Sequence, residues 1–89
     1  MYNKWELING NGTDFFPKEG KIVFVIIERD ADDTHTPYVC RAYCKGDGIS
    51  IIWHLQCDEL YPFPIEPEIT EDTWTLSSNW SVMAWRYIK

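Results

Sequence analysis

The stretch that decides the fold is Lys21-Ile22-Val23-Phe24-Val25-Ile26-Ile27-Glu28-Arg29. Its six consecutive apolar side chains, five of them β-branched, leave no polar face. Such a run reads as a strand buried on both sides and therefore central in a sheet. Helix is the rival, but the run is short and Gly20 precedes it. Pro17-Lys18-Glu19-Gly20 reads as the turn that launches the strand.

Working outward, Asp30-Ala31-Asp32-Asp33-Thr34-His35-Thr36-Pro37 is polar throughout and reads as a loop. Tyr38 to Lys45 and Ile49 to Cys57 then read as two strands around Gly46-Asp47-Gly48. A two-residue turn at Asp47-Gly48 would pair Gly46 with Ile49. It sets Cys44 opposite Ile51, Ala42 opposite Trp53, Cys40 opposite Leu55 and Tyr38 opposite Cys57, every pair apolar. The other face would carry Tyr43–Ile52, Arg41–His54 and Val39–Gln56. A three-residue loop would set Arg41 against Trp53 and Cys40 against His54, exchanging inside for outside, so the two-residue turn is the expectation.

Upstream, Tyr2 to Ile8 suits a short strand with Trp5 and Leu7 on one face, ended by Asn9-Gly10-Asn11-Gly12. Downstream, Asp58 to Glu68 is too rich in proline for a central strand and reads as an extended, polyproline-like excursion. Thr73 to Leu76 suits a brief edge strand. Trp80 to Ile88 alternates as a closing strand, with Trp80, Val82, Ala84 and Ile88 on one side and Met83, Trp85 and Tyr87 on the other. No segment has a helical period. The expected fold is all-β or β-dominated α+β: a small antiparallel meander of four to six strands, forming a curled sheet or a partly open barrel. Phe24, Ile26, Ala42, Ile51, Trp53, Val82 and Trp85 are the expected core.

Composition bounds the rest. Eighty-nine residues make one domain, 1–89, with a stability on the order of 5 kcal/mol. An aromatic content of 16% is too high for a disordered tail. The net charge of −6 argues against direct nucleic-acid binding. No apolar run reaches the roughly 18 residues of a membrane span, and the polar start does not read as a signal peptide. Cys40, Cys44 and Cys57 are odd in number, which fits reduced thiols used as small core hydrophobes in a cytoplasm. The triplets at Asn11 and Asn79 match the glycosylation pattern but mean nothing without export.

The two ends of the chain make a frame. Trp5 opens a short strand, Pro17-x-x-Gly20 leads into Lys21-Ile22-Val23-Phe24-Val25, and the C-terminal part reads Val82-Met83-Ala84-Trp85-Arg86. The frame resembles domain-of-unknown-function family 551, common in bacteriophages and other mobile elements. The chain departs from it where Tyr87-Ile88 replace the usual Leu-Pro, and in its Pro-rich insertion. The resemblance implies a phage-type accessory protein in the cytoplasm of a bacterial host cell. It brings no catalytic residues.

The residues themselves offer little chemistry. His54 and Cys40 leave opposite faces of the expected hairpin, and His35 sits in a polar loop, so no Cys–His nucleophile is assembled. Cys40 and Cys44 lie about 13 Å apart on one extended strand, too far to share zinc. Asp30-x-Asp32-Asp33 beside Glu28 lacks the Gly and the distal Glu of a calcium loop and reads as a solvated hairpin loop. Gly10-x-Gly12 opens no phosphate loop. No catalytic residue, metal or cofactor is assigned, and the chain is not read as an enzyme.

Leu60-Tyr61-Pro62-Phe63-Pro64-Ile65 carries more information. One reading folds these side chains back over an open end of the sheet. The other makes Tyr61, Phe63 and Ile65 apolar anchors of a preorganised binding loop, with Glu59, Glu66 and Glu68 as an acidic rim that steers a basic partner. With the resemblance, the expected function is to bind and inhibit or modulate a host or defence protein, without nucleic acid or membrane. A homodimer is compatible with this reading. A small-ligand binder, for instance of a nucleotide signal, is the alternative and would need Arg29, Arg41 or Arg86 to converge on a pocket. An enzyme of unknown type comes last.

Overall fold

The computed structural model describes residues 5–8, 15–31, 34, 36–46, 51–57, 60–68, 70, 74–77 and 79–88. Seven strands run β1 (Glu6–Leu7), β2 (Val23–Arg29), β3 (Tyr38–Gly46), β4 (Ile51–Leu55), β5 (Tyr61–Pro62), β6 (Trp74–Thr75) and β7 (Trp80–Tyr87). They form one antiparallel sheet in the order β1-β7-β2-β3-β4-β6, with β5 pairing β3 off this path, and it does not close into a barrel. Among the described residues there is no helix. The β-dominated fold is therefore as read from the sequence. The strand count exceeds the expected four to six by β5, a two-residue pairing within the Pro-rich stretch that the sequence assigned to an extended excursion. The meander holds for β2, β3, β4 and β6, whereas β7 returns along the other edge of β2.

The apolar run lies where its composition places it. β2 pairs with β3 on one edge and β7 on the other, and Val23–Ile27 are at most 3% exposed. Val23, Val25 and Ile27 point to a first face, where they meet Cys40, Ala42, Cys44, Trp53, Leu55 and Trp85. Phe24 and Ile26 point to a second face, with Val39 and Ala84. The first face is crossed at one end by the segment leading into β2. The Trp85 indole N–H donates to the Phe15 carbonyl at 2.8 Å, the Cys44 thiol to Pro17 at 3.6 Å, and the Gly20 N–H to Cys44 at 3.0 Å. A turn closed by Lys21 N–H to Lys18 C=O ends that segment. Gly20 occupies its third position at φ +81°, a conformation that side chains resist and glycine adopts freely.

Three expectations change. Gly46 pairs with Ile51, Cys44 with Trp53 and Ala42 with Leu55, two residues away from the expected hairpin register. A shift of two keeps every side chain on its own face, so inside/outside patterning could not distinguish the two registers. The connection is therefore 47–50 rather than Asp47-Gly48 alone, and it lies outside the described residues. Tyr43 opposite His54 and Lys45 opposite Ile52 replace the expected outer pairs.

The second change is in β7. Its pairing with β2 slips between Ile26–Ala84 and Ile27–Val82, which leaves Met83 as a bulged residue. Val82 thus packs with Trp80 and Trp85 on the first face, while Met83, Ala84 and Ile88 belong to the second. The simple alternation fails at that one extra residue. Third, Ile51 is 41% exposed rather than core, because it closes the outer end of β4. Phe24, Ile26, Ala42, Trp53 and Trp85 are buried as expected, and Val82 packs half-buried against the first cluster.

These burials set a contrast. Ile26→Ala should cost about 2–5 kcal/mol, by lost transfer energy and a cavity with a wall on each side. Ile51→Ala should cost less than about 1 kcal/mol. Urea unfolding of the two variants checks the difference, and similar costs would contradict the assigned positions.

Candidate functional site

The second face is organised by one cross-strand row. Phe24 pairs directly with Arg41 of β3 and with Arg86 of β7, so all three side chains leave the same face. The Arg41 and Arg86 guanidinium carbons lie 5.0 and 4.8 Å from the centre of the Phe24 ring. Arg86 also stands 5.1 Å from the Trp5 ring. The electron-rich ring faces attract both cations, and their stems cover apolar surface. The arginines therefore act first as a lid on Phe24.

The Pro-rich segment lies across this row. Tyr61 and Pro62 pair with Val39 and Tyr38, and the Phe63 N–H donates to the Pro37 carbonyl at 3.1 Å. A tight turn with a cis Phe63–Pro64 bond follows, closed by the Ile65 N–H to the Pro62 carbonyl at 2.9 Å. Phe63 packs on the second-face cluster and meets Trp5 edge to face, with ring centres 6.2 Å apart. The Glu66 carboxylate then pairs with Arg86. Pro67 is buried, and its carbonyl accepts the Arg41 Nε–H at 2.6 Å. Successive residues 66 and 67 thus occupy the two guanidinium groups that flank Phe24.

The predicted site residues separate accordingly. Tyr61 and Phe63 are half-buried and contribute to the fold, Ile65 is 51% exposed at the bend, and Glu66 and Glu68 are exposed beside it. Glu59 lies outside the described residues, as do His35, Asp32 and Asp33. The segment is not a free polyproline rod, because two of its residues join the sheet. Sequence reasoning missed the Arg41–Phe24–Arg86 row. The signal was present, an arginine in each strand that flanks β2, but reading it requires the registers of both pairs.

The other candidate chemistry disperses. His54 stacks on Tyr43 at 4.9 Å, across the sheet from the thiols. Asp30 accepts the Ser81 hydroxyl at 2.5 Å. No group of three His, Cys, Asp or Glu among the described residues could hold a metal ion. On the first face, a groove of about 470 Å³ runs between Ile8, Trp53, Leu76 and Val82, and no charged residue among the described ones lines it. A depression at the far end of β2 is lined by Arg29, Ala31, Tyr38 and Trp80. No protein family, curated protein or solved structure matches this chain.

The three thiols are buried and unbridged in the structure. The Cys57 hydrogen bond, then burial, push the Cys40 thiol far above its ordinary value, and burial raises Cys44. A raised folded-state pKa favours the protonated thiol in the native state. The stability it contributes is complete below the unfolded thiol value of about 8.5 and is lost as pH rises beyond it. Denaturant midpoints should therefore fall between pH 8 and 10, and by less in a Cys40→Ala variant; equal slopes would exclude the thiols as the cause.

The segment's contacts are testable in the same way. Phe63→Ala should cost about 2 kcal/mol, since a half-buried ring loses part of the full burial term. Glu66→Gln should cost less than about 1 kcal/mol, because the pair with Arg86 is open to solvent. Thermal unfolding distinguishes the two, and a reversed order would mean that the ion pair rather than the ring holds the segment.

Proposed function

We propose that this chain is a small non-catalytic binding protein that docks on a basic surface of another protein through the bend at Ile65, Glu66 and Glu68. The observation that carries the reading is the exposed Ile65 on a segment anchored at both ends. Backbone pairing at Tyr61–Phe63 holds one side, and the Arg41 bond to Pro67 holds the other. An anchor already fixed in this way loses little conformational entropy on docking. Exposed carboxylates beside an apolar anchor suit a partner with an apolar pocket and a basic rim. Tyr61 and Phe63 serve chiefly to set the bend.

In this reading, the resemblance of the chain's two ends to domain-of-unknown-function family 551 supports a phage or mobile-element accessory role. The partner is then a host or defence protein, and the location is the bacterial cytoplasm. No helix among the described residues is long and apolar enough to cross a membrane. The proposal of a non-catalytic role rests on the separation of His54 from the three thiols by the sheet.

A second reading, small-ligand binding, is favoured by one observation. Arg29 lines a depression together with Tyr38 and Trp80, whose rings meet edge to face at 5.9 Å. A nucleotide could stack and pair there. Only one cation serves that depression among the described residues, whereas Arg41 and Arg86 are engaged on the other face.

Capture from bacterial lysate with the wild type and with Ile65→Asp and Glu68→Lys variants tests the proposal. Ile65→Asp should weaken binding by roughly 30-fold, and Glu68→Lys should slow association in a salt-dependent way. A partner held equally by all three proteins would move the interface elsewhere. A nucleotide released on denaturing the purified protein would select the second reading.

A further inference from the structure

The observed register has a chemical consequence at the end of the β3–β4 ladder. The Gln56 N–H donates to the Arg41 carbonyl at 2.6 Å while the Gln56 carbonyl accepts the Thr70 N–H at 3.2 Å, so the β3–β4 ladder ends at the Ala42–Leu55 pair. Cys57 follows two residues beyond that pair and lies with Cys40 in the first-face cluster. Both residues are fully buried in the first-face cluster, and their thiols are in hydrogen-bonding contact.

We propose that Cys40 and Cys57 form a modification site, a dithiol that a low-molecular-weight disulfide such as oxidised glutathione converts to an intramolecular disulfide. One protein thiolate attacks the small disulfide, forms a mixed disulfide and releases one small thiol. The second protein thiolate attacks the protein sulfur of that mixed disulfide and releases the other. Two protein thiols lose their hydrogens, one S–S bond forms, and the two electrons reduce the small disulfide to two thiols. Cys44 takes no part. It lies four residues along the same strand from Cys40, faces Trp53 and donates to the Pro17 carbonyl.

The burial that brings the pair together also protects it. A buried, hydrogen-bonded thiol yields little thiolate, so exchange waits for the chain beyond β4 to open. Once formed, the bond ties β3 to the start of the Pro-rich segment and restricts the unfolded chain. The site thus links redox conditions to the anchoring of residues 60–68, independently of any partner that segment binds.

Refolding the full-length protein in glutathione buffers of graded oxidation, followed by alkylation and peptide mapping, tests the assignment. The expected product is lighter by two hydrogens, links Cys40 to Cys57 and leaves Cys44 alkylated. Its equilibrium constant with glutathione should exceed that of the same pair in denaturant by at least about tenfold, and its melting temperature should rise by on the order of 10 °C. Cys44→Ala should leave the product unchanged. A dominant link involving Cys44 would overturn the proposal. So would three alkylated thiols at a poise where the denatured chain oxidises, or an oxidised product that melts below the reduced one.

Discussion

Val23–Ile27 bury both rows of their side chains, and this imposes two demands at once. The backbone needs a partner on each edge, and each face needs apolar cover. Sheets buried on both faces ordinarily obtain that cover from helices. Here, among the described residues, the cover comes from bulky side chains and loop segments. Trp53 and Trp85 lie on the first face, closed at one end by residues 15–20. Arg41, Arg86, Trp5 and Phe63 lie on the second. Among the described residues no second layer covers the sheet, and aromatic side chains take its place.

What could be read from the sequence was the set of elements that one residue type announces. The continuous β-branched run declared β2, and alternation declared β3, β4 and β7. Gly20 marked the turn before β2, and the prolines of 62–67 excluded a long strand there. Features that depend on counting residues across a connection were hidden. The β3–β4 register moved by two without changing which side chains point inward, so no argument from polarity could detect it. The Met83 bulge reversed the sidedness of half of β7 with one extra residue. Its sequence, Val82-Met83-Ala84, is apolar throughout and suits either face.

The candidate site was partly legible for the same reason. The segment from Tyr61 to Glu68 stood out by composition, and its exposed tip survives as Ile65, Glu66 and Glu68. Its attachment could not be read, because the Arg41–Phe24–Arg86 row exists only after three strands are aligned. That alignment turns two surface cations into the seat of the segment. The Phe63 ring supplies most of the hold, while a charge pair and a hydrogen bond to a backbone carbonyl, carried by residues adjacent in sequence, orient the irregular stretch over Phe24.

The partnership of β2 with β7 also governs the order in which the molecule can assemble. Val23 must wait for Tyr87, and Arg29 for Trp80, before the second edge of the central strand is satisfied. Neighbouring β3 can pair much earlier. During synthesis there is consequently an interval of seconds in which the most hydrophobic strand has one edge open and both faces only partly covered. Such an edge is a template for pairing with other chains. Yield in the cell should therefore be governed less by the stability of the finished sheet than by how well that interval is bridged, whether by rapid elongation or by a chaperone that holds extended apolar segments.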